Sequence, residues 1–525
     1  MTWRVGLRRE SAILLHLAAW MMMLPADAAA ADRFAAQAPG ERGAPRPTIS
    51  VFGIAPGTTT RAQVELLLGE PAASLPPHFG YARVFEYRPP REAQDAVRLV
   101  IVYFADTPQV ARVDVHLRNP IEADPLRAQF GARVLERPLD GDRREELYHP
   151  RLQSLTLAGD VEPASVTAIG FLSPRYLADV FVERYNERIQ SDRNEDACLE
   201  ADKAVLVDPD YARGYTAQGL CFQLVRQNVD EAVVRFTAAT QAAYGPRARS
   251  DAHVRLGLVQ WRVKTDPARA QQEFERAVAL APDSGFARYS FGAFLRGREA
   301  FDDAVRELSR ALDIDANDRA ARAELADLHY DRRAWNLALP HYERLAAWAA
   351  SSAAASTPAS ARAAYVFRHA YTLAQLDRDV EARSVYETVV RLDPANGAAW
   401  NNLGLLYRDA GDLLRALAAH ESALALQPDD VTRQRNYAMT LLEAGRVPDA
   451  LRQLQAALGA EPGDATTMLY LARGFAAQKK KRETLDWLRR AIEAGYRNGP
   501  ALASDRYLAR YHEDRDFKRL LDTIR

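Results

Sequence analysis

Cysteine and lysine are scarce in this chain, and neither sign of charge predominates. The 525 residues contain two cysteines and carry a formal net charge of -1. Two cysteines cannot form a Cys-rich zinc site. General binding to nucleic acid or to a membrane surface needs a strong basic excess, so the balanced charge argues against both. Most of the 69 basic residues are arginine, and a base-composition bias explains this better than selection for guanidinium chemistry.

The sequence also lacks the common motifs of enzymes. It contains no H-E-x-x-H, no G-x-x-x-x-G-K-[ST], no G-x-G-x-x-G after a strand and no G-x-S-x-G. The ten histidines are scattered without the spacing of metal ligands. We therefore predict a protein that is not an enzyme, with no catalytic residue, no metal site and no cofactor.

The N-terminus has the features of an export signal, predicted over residues 1–28. These features are a basic start, a short apolar run and an A-x-A cleavage site: Arg4, Arg8, Arg9, 12–24 and 26–28. The apolar run is too short for a membrane span. A lipid anchor is not expected either, because there is no cysteine near the cleavage site. Residues 29–48 are rich in Ala, Pro, Gly and Arg, which is typical of a flexible linker. We expect an exported chain, periplasmic or secreted, without a transmembrane segment after cleavage.

A chain of this length needs at least two structural units, and residues 49–173 differ from the rest. They predict a small α+β domain with a helix over 62–68, ended by Gly69 and Pro71. Strands are predicted at 83–87, 98–104 and 110–117. In the last strand, Val113, Val115 and Leu117 share one face, while Arg112, Asp114 and His116 share the other. The helix is expected to bury one face of the sheet.

The start of this domain carries a motif made of Gly57, Thr59, Val64, Leu67, Leu68, Gly69 and Pro71, which are spaced as G-x-T-x-x-x-x-V-x-x-L-L-G-x-P. With the aromatic strands that follow, it resembles the SmpA/OmlA (BamE-like) family of outer-membrane assembly factors. The resemblance covers about seventy residues and implies a role in envelope assembly; the lipidated cysteine of that family is missing. A degenerate second copy is predicted from 130–131, 146–148, 152–157 and 166–171.

The C-terminal two thirds of the chain contains a sequence motif that recurs every 34 residues. Its best copy begins at Gly397 and has these residues in register: Trp400, Leu403, Gly404, Tyr407, Gly411, Ala416, Ala423 and Pro428. The next copy keeps the register with Tyr437, Ala438, Leu441, Gly445, Ala450, Leu454, Ala457 and Pro462. This spacing resembles the tetratricopeptide repeat (TPR), a helix-turn-helix that stacks on its neighbours. His420 falls at an inward position of this unit, which indicates a packed core histidine.

The repeat predicts a mainly α fold, in which a TPR helical solenoid (an α-α superhelix) follows the small α+β domain. We assign an array over 174–502 with about nine units: 178–210, 211–249, 250–284, 285–318, 319–352, 363–396, 397–430, 431–464 and 465–498. Small residues at positions 8, 20 and 27 let the helices approach closely, and a lone hairpin cannot bury its apolar face without neighbours. Residues 503–525 are predicted to form a C-terminal capping helix.

The repeat is interrupted between residues 346 and 362, where the terminal proline gives way to an Ala/Ser-rich stretch. One interpretation is a helix extension followed by a loop. The alternative is a hinge that divides the array into two lobes.

The two cysteines, Cys198 and Cys221, fall in the second helix of one unit and the first helix of the next. Export would place them where a disulfide persists. The sequence leaves two alternatives open, a bridge between them or two buried thiols at helix-packing positions.

The TPR resemblance implies a binding groove lined by positions 2, 5, 6, 9, 12 and 13 of each first helix. In the C-terminal units we predict these groove residues: Arg368, Tyr371, Asn401, Asn402, Arg408, Arg435, Asn436, Tyr470 and Arg473. Asparagine pairs with peptide main chain and arginine with carboxylates. The two-carboxylate clamp of the family is absent, because Phe367, Tyr371 and Thr432 do not fit it.

These observations predict an exported protein-protein interaction scaffold, associated with the cell envelope or outer membrane, whose groove binds a peptide or protein partner. Nucleic acid is not expected as a partner. The alternative is a peptidoglycan- or glycan-associated binding protein that uses the tyrosines and arginines of the groove.

Overall fold

The computed structural model describes residues 51–76, 83–91, 93, 96–104, 107–122, 134–139, 142–149, 152–158, 165–243 and 245–524. The predicted export signal and linker lie outside these residues. The chain divides into two compact units, one up to Phe294 and the other from Leu295. Within the described residues, no helix combines the length and the apolar character needed to cross a bilayer.

The described strands of the first unit, eight in number, form one antiparallel sheet. The strands are β1 (Ala73–Leu75), β2 (Arg83–Tyr87), β3 (Ala96–Tyr103), β4 (Val110–Glu122), β5 (Val134–Leu139), β6 (Asp142–His149), β7 (Leu152–Ala158) and β8 (Ser165–Leu172). Their order is β1-β2-β3-β4-β8-β7-β6-β5. The three strands predicted in the first half are confirmed. The order is that of two four-stranded meanders whose last strands, β4 and β8, pair. The segment predicted to be a degenerate second copy therefore lies in the same sheet as the first, and its being a copy stays a prediction.

Helix α1 (Arg61–Leu68) covers one face of this sheet. It begins where the backbone N–H of Thr60 donates a hydrogen bond to Oε1 of Gln63, at 2.8 Å, and it ends at Gly69, whose φ of 79° is left-handed. The predicted helix is therefore confirmed. Val64 is fully buried and packs in a cluster with Tyr87, Leu99, Ile101, Val113 and Val115.

Helix α2 (Pro174–Gln190) covers the opposite face, which the alternation in β4 had marked as polar. Its N-cap is Ser173, whose hydroxyl accepts a hydrogen bond from the backbone N–H of Tyr176 at 3.1 Å. Arg112 is only 3% exposed, and its Nε donates to Asp114 at 2.6 Å. The expectation that the helix buries one face was incomplete, because apolar residues on α2 and on the sheet bury the second: Val84, Val102, Phe104, Ala111, Tyr176 and Val180.

The repeat helices of the first unit begin with α2. The others are α3 (Asn194–Val207), α4 (Ala212–Leu220), α5 (Val229–Thr240), α6 (Pro246–Arg262), α7 (Pro267–Leu280) and the start of α8 (Gly285–Gly297), where the division between units falls. Helix α2 packs on α3, α4 on α5 and α6 on α7. The structure bonds Cys198 of α3 to Cys221, with Cα atoms 5.5 Å apart. Of the two alternatives that the sequence left open, a disulfide or two buried thiols, the structure contains the disulfide.

The second unit continues the alternation of helices. They are α9 (Phe301–Ile314), α10 (Arg319–Asp331), α11 (Trp335–Ala350), α12 (Ala359–Ala374), α13 (Asp379–Leu392), α14 (Gly397–Asp409), α15 (Leu413–Leu426), α16 (Val431–Glu443), α17 (Val447–Ala460), α18 (Ala465–Ala477) and α19 (Lys481–Glu493). The residues at position 15 of two units, Gly411 and Gly445, have φ of 80° and 75°. They supply the left-handed turn between the two helices of a pair.

Small residues bring the helices of a pair into close contact. A Cβ atom added to Gly404 of α14 would lie 2.7 Å from Cε1 of His420 in α15. The equivalent contact in the first unit places Phe274 2.9 Å from the position of a Cβ on Gly257. His420 is fully buried, and burial lowers its pKa to about 4. It is therefore neutral at pH 7, as expected of a packed core histidine.

The interruption after Ala346 is packed, so the hinge interpretation is wrong. Helix α11 extends to Ala350, a short 3-10 turn follows at Ser352–Ala354, and α12 packs directly on α11. Trp348 contacts Tyr365 with ring centroids 6.1 Å apart, and Arg362 donates a hydrogen bond to the carbonyl of Ala349 at 3.2 Å. The division into compact units lies elsewhere, inside α8.

The C-terminal end is built from short turns rather than the single capping helix predicted. They are α20 (Gly499–Ala503), a 3-10 turn (Ala509–Tyr511) and α21 (Arg515–Asp522). Their apolar side chains complete a cluster with α18 and α19: Leu502, Leu508, Tyr511, Phe517 and Leu521. The end of the array thus still acquires the apolar cover that a repeat requires.

Candidate functional site

The predicted groove residues lie on the first helices of four consecutive pairs, α12, α14, α16 and α18. Helix α14 contacts α16, and α16 contacts α18, so their side chains are neighbours. Three of these helices begin at a polar residue whose side chain accepts hydrogen bonds from the first turn: Asn396, Asp430 and Asp464. These caps fix where each helix starts and therefore which residues face the next first helix.

Three asparagines of this face form a continuous chain of hydrogen bonds. Nδ2 of Asn436 donates to Oδ1 of Asn401 at 2.9 Å, and Nδ2 of Asn401 lies 3.4 Å from Oδ1 of Asn402. Nδ2 of Asn402 donates to the hydroxyl of Tyr386 at 2.9 Å. Each amide has two N–H donors and one oxygen with two lone pairs. One donor per amide is used here, so each half-buried amide keeps bonding capacity in a fixed orientation.

Two arginines beside the asparagines are paired with carboxylates of the chain itself. Nη1 of Arg435 lies 2.7 Å from Oδ2 of Asp464. Arg408 contacts Asp409 at 3.0 Å and Glu443 at 3.9 Å. Burial of Asp464 would raise its pKa, but hydrogen bonds from Thr467 and Arg435 hold that pKa below its usual value. Both guanidinium charges are therefore balanced within the protein, which the sequence did not predict.

The last two predicted groove residues contact the C-terminal segment. Nε of Arg473 lies 2.6 Å from Oδ2 of Asp505, whose side chain is 2% exposed. The guanidinium of Arg473 also stacks over the ring of Tyr470, 5.0 Å from its centroid. Next to this pair, Nη2 of Arg506 lies 2.8 Å from Oε1 of Glu443. The groove prediction expected Arg473 to pair with a carboxylate of the bound partner, but Asp505 of the chain itself supplies that carboxylate.

At the other end of the face, Tyr371 forms an aromatic cluster with Tyr330 and Trp335, and Arg368 lies beside it. The ring centroids of Tyr330 lie 5.1 Å from those of Trp335 and 5.6 Å from those of Tyr371. Trp335 and Tyr371 are 6.0 Å apart. All three rings are half-buried. The guanidinium of Arg368 lies 4.7 Å from the Tyr330 centroid, a cation–π distance.

A carboxylate holds Arg368 over the aromatic cluster. Nη1 of Arg368 lies 3.6 Å from Oδ1 of Asp327, and Asp327 also accepts a hydrogen bond from the hydroxyl of Tyr342. Burial and this hydrogen bond both raise the pKa of Tyr342, and burial raises the pKa of Tyr330. Burial would lower the pKa of Arg368, but Asp327 raises it above the ordinary value. The tyrosines are therefore neutral and the arginine charged at pH 7.

Tyr330, Trp335 and Asp327 were not among the residues predicted from the sequence. Tyr330 stands at position 12 of the unit 319–352, one of the groove positions, so its place in the repeat could have identified it. Trp335 begins the second helix of that pair, where no groove position falls. Within the described residues, no group of three His, Cys, Asp or Glu side chains is arranged to hold a metal ion.

Comparison with protein families identifies two matches, both to tetratricopeptide repeat models. One covers residues 367–431 and the other residues 407–473. Together they contain all nine predicted groove residues, together with the amide chain. No protein of curated function matches the sequence.

Among solved structures, three that this chain is similar to are described as TPR proteins. YrrB, described as a TPR protein with an unusual peptide-binding site, is 17% identical, with 42% of this chain and 92% of that chain covered and a TM-score of 0.24. A tetratricopeptide repeat protein from Parabacteroides merdae is 14% identical, with 52% and 97% covered and a TM-score of 0.34. The C-terminal part of a TPR protein from Cytophaga hutchinsonii is 15% identical, with 49% and 98% covered and a TM-score of 0.37.

The two family models and the helix pairs identify the repeats. The expected fold class, a TPR helical array after a small domain with an antiparallel sheet, is confirmed. The chain therefore carries tetratricopeptide repeats, matched directly over residues 367–473.

Proposed function

We propose that this chain is an exported, non-catalytic scaffold that binds an extended peptide segment of a protein partner over helices α12, α14 and α16. The observation that carries the proposal is the amide chain of Asn436, Asn401 and Asn402. Amides held in fixed orientations can pair with the N–H and C=O groups of a peptide main chain without first losing rotamer entropy. The aromatic rings next to α12 supply apolar contact area for side chains of the peptide.

The test is the affinity of the full chain for peptides selected from a random 12-residue library, measured with the Asn402→Ala variant. We expect affinity to fall by about tenfold, which corresponds to about 1.4 kcal/mol for a lost hydrogen bond and a disordered amide neighbour. Asn336→Ala is the matched control, because Asn336 is exposed on the second helix α11. Equal losses in both variants, or no loss in Asn402→Ala, would contradict a site at the amide chain.

Export is part of the proposal and is supported by two independent features. The first is the basic start, apolar run and A-x-A site at the N-terminus. The second is the bond between Cys198 and Cys221, since disulfides persist in oxidising compartments. Fusion of alkaline phosphatase to the C-terminus tests it, because this reporter is active only after export. An inactive fusion that regains activity under a known signal peptide would reject export.

A role in envelope assembly is proposed from the SmpA/OmlA resemblance of residues 57–71. The helix and the strands that follow it agree with the order expected from that motif. Fractionation of envelopes, with and without a high-salt wash, tests the association. Complete recovery in the soluble periplasmic fraction at low salt would count against it.

The aromatic cluster favours a second candidate function, which is binding to peptidoglycan or another glycan. Half-buried tyrosine and tryptophan rings next to Asp327 and Arg368 combine stacking surfaces with groups that can hydrogen-bond to hydroxyls. Co-sedimentation with purified sacculi should then be lost in Trp335→Ala and kept in Leu337→Ala, an exposed change on the same helix. Equal sedimentation of both variants would remove this candidate.

A further inference from the structure

Basic residues are concentrated at the C-terminal end of the array, although the chain as a whole is balanced. Residues 479–525 contain 13 basic and eight acidic residues, whereas the rest of the chain contains 56 and 62. The chain has only six lysines, and three of them are consecutive, at 479–481. The base-composition bias that explains the arginine excess acts against lysine at every position, so it does not account for this run.

The run opposes the stability of the helix that it begins. Lys480 is the N-cap of α19, and Lys481 and Arg482 are the first two residues of that helix. Three cations therefore lie at the positive end of the helix dipole, where negative charge is favoured. At the equivalent positions of two other pairs the charge is negative, because α15 follows Asp412 and α13 begins with Asp379. Helix stability thus does not explain the basic start of α19.

The turn before α19 departs from the repeat in the same way. Lys479 has a left-handed φ of 63°, at the repeat position where two other units have Gly411 and Gly445. A residue with a Cβ atom is strained in that conformation. Residues that break a local rule at a cost in stability are typical of functional sites.

A second segment brings further cations beside the lysine run. Nζ of Lys481 lies 2.5 Å from Oδ2 of Asp514 and 3.9 Å from Oδ2 of Asp516, so the turn is held against the start of α21. Arg515 stands between these two aspartates, and Arg510 precedes them in the 3-10 turn. We call the exposed cations of both segments the basic end. Within the part of the chain that the structure describes, they make no ion pair: Lys479, Lys480, Arg482, Arg510 and Arg515.

The chemistry of the basic end fits a charged surface better than a folded protein partner. Protein interfaces have an apolar centre and are depleted of lysine, whereas no large apolar side chain of residues 427–524 is exposed. Lysine ammonium groups are compact and strongly hydrated. Clusters of such groups attract an anionic lipid surface without needing fixed contacts.

We propose that the basic end docks the C-terminal end of the array on a bilayer that contains anionic phospholipid. The attraction is electrostatic, and no apolar side chain enters the bilayer. Lys481 is a positioning residue, because its ion pair with Asp514 holds the lysine turn beside Arg515. The basic end is separate from the amide chain of the proposed function, and it depends neither on that site nor on export.

The experiment is co-sedimentation with vesicles of equimolar phosphatidylglycerol and phosphatidylcholine. It uses the chain from residue 29 onward, which lacks the predicted export signal and keeps every described residue. We expect binding at about 50 mM salt and release at about 500 mM, because salt screens exposed charges. Replacing three cations, Lys479→Gln with Lys480→Gln and Arg482→Gln, should weaken binding about a hundredfold. Arg510→Gln with Arg515→Gln should weaken it about thirtyfold.

Controls separate the basic end from net charge, from unfolding and from the amide chain. Arg298→Gln with Arg333→Gln and Arg344→Gln removes three exposed cations elsewhere in the second unit and should leave binding unchanged, as should Asn402→Ala. The Tm of the variant at 479, 480 and 482 should equal or exceed that of the wild type, because cations leave a helix N-terminus.

Five results would each overturn the proposal. They are equal binding to pure phosphatidylcholine, binding that persists at high salt, unchanged binding after the changes at 479, 480 and 482, an equal loss in the three-arginine control, and a lowered Tm. Displacement of the vesicles by soluble poly-glutamate at the same concentration of charge would also reject a bilayer, in favour of an acidic protein.

Discussion

In the first unit a disulfide and docking on a sheet are added to the packing and side-chain bonds that link the repeats, whereas the described residues of the second unit are linked by packing and side-chain bonds alone. Helix α3 is bonded to the end of α4 through Cys198 and Cys221. In the second unit, contacts such as Asn436 with Asn401 and Arg435 with Asp464 link successive pairs. The units that fit the TPR pattern least, 178–210 and 211–249, thus carry the added restraints. We expect units with such added restraints to tolerate departures from the repeat pattern better, because their stability then depends less on the shared packing positions.

The largest effect is expected where the second unit relies on close packing. Gly404→Leu places side-chain atoms where the His420 ring already lies 2.7 Å from a Cβ position. Overpacking of this kind should cost about 3 kcal/mol or more, enough to open α14 and α15. Hydrogen exchange around Trp400 and Tyr407 measures it.

Gly459→Leu is the matched control, since a Cβ at Gly459 meets nothing within 4 Å. It should not destabilise the unit, because a helical glycine is replaced by a better helix former. Unchanged exchange in Gly404→Leu would mean that the register of this repeat is wrong.

The next effect concerns the first unit. Replacing both cysteines, Cys198→Ser with Cys221→Ser, should lower the free energy of unfolding of that unit by ~2–4 kcal/mol. Denaturant unfolding followed by hydrogen exchange should show the loss in α3 and α4, while α14 to α19 keep their protection. Reduction of the wild type should reproduce the loss and add nothing to the double variant. A global loss of protection would refute separate restraint of the two units.

A smaller, pH-dependent effect on stability is expected for the Gly404–His420 pair of the second unit and not for the Gly257–Phe274 pair of the first. Burial lowers the pKa of His420 from 6.5 to about 4, so below pH 6.5 the unfolded state binds more protons than the folded state. Stability is therefore full above that pH and falls as the pH drops toward about 4, by about 2 kcal/mol at pH 5. His420→Phe, which copies the Gly257–Phe274 pair of the first unit, should reduce this pH dependence. An identical profile in both proteins would show that His420 is not buried as described.

The fold was largely predictable because its main determinants are local and periodic. The spacing from Gly397 gave the helix pairs, and Gly411 and Gly445 marked turns that need positive φ. Other turns were less visible, since Thr265 and Lys479 adopt φ of 54° and 63° at equivalent places without being glycine. At Thr265 and Lys479 the packed helices on either side impose the left-handed turn, so the local sequence does not predict it.

The candidate site was predictable only as a set of positions. The asparagines were predicted to share one face, and in the structure Asn436 at position 6 of one unit contacts Asn401 at position 5 of the unit before it; the binding of a partner on that face stays a prediction. The partners of the arginines were not predicted, because Asp464 and Asp505 come from the next helix start and the C-terminal segment. Arg435 and Asp464 are 29 residues apart in the sequence, and Arg473 and Asp505 are 32 apart. Such ion pairs depend on the tertiary packing of the helices, which the local sequence does not specify.

Helix α2 belongs to two cores at once. Tyr176 and Val180 pack on the sheet, while Leu177 and Phe181 pack with α3 and Tyr211. A cut at residue 173 would therefore not separate two independent modules, since it would leave the repeats with a bare apolar stripe and the sheet with an uncovered face. Neither the sheet nor the repeats are therefore expected to fold stably when they are expressed without α2.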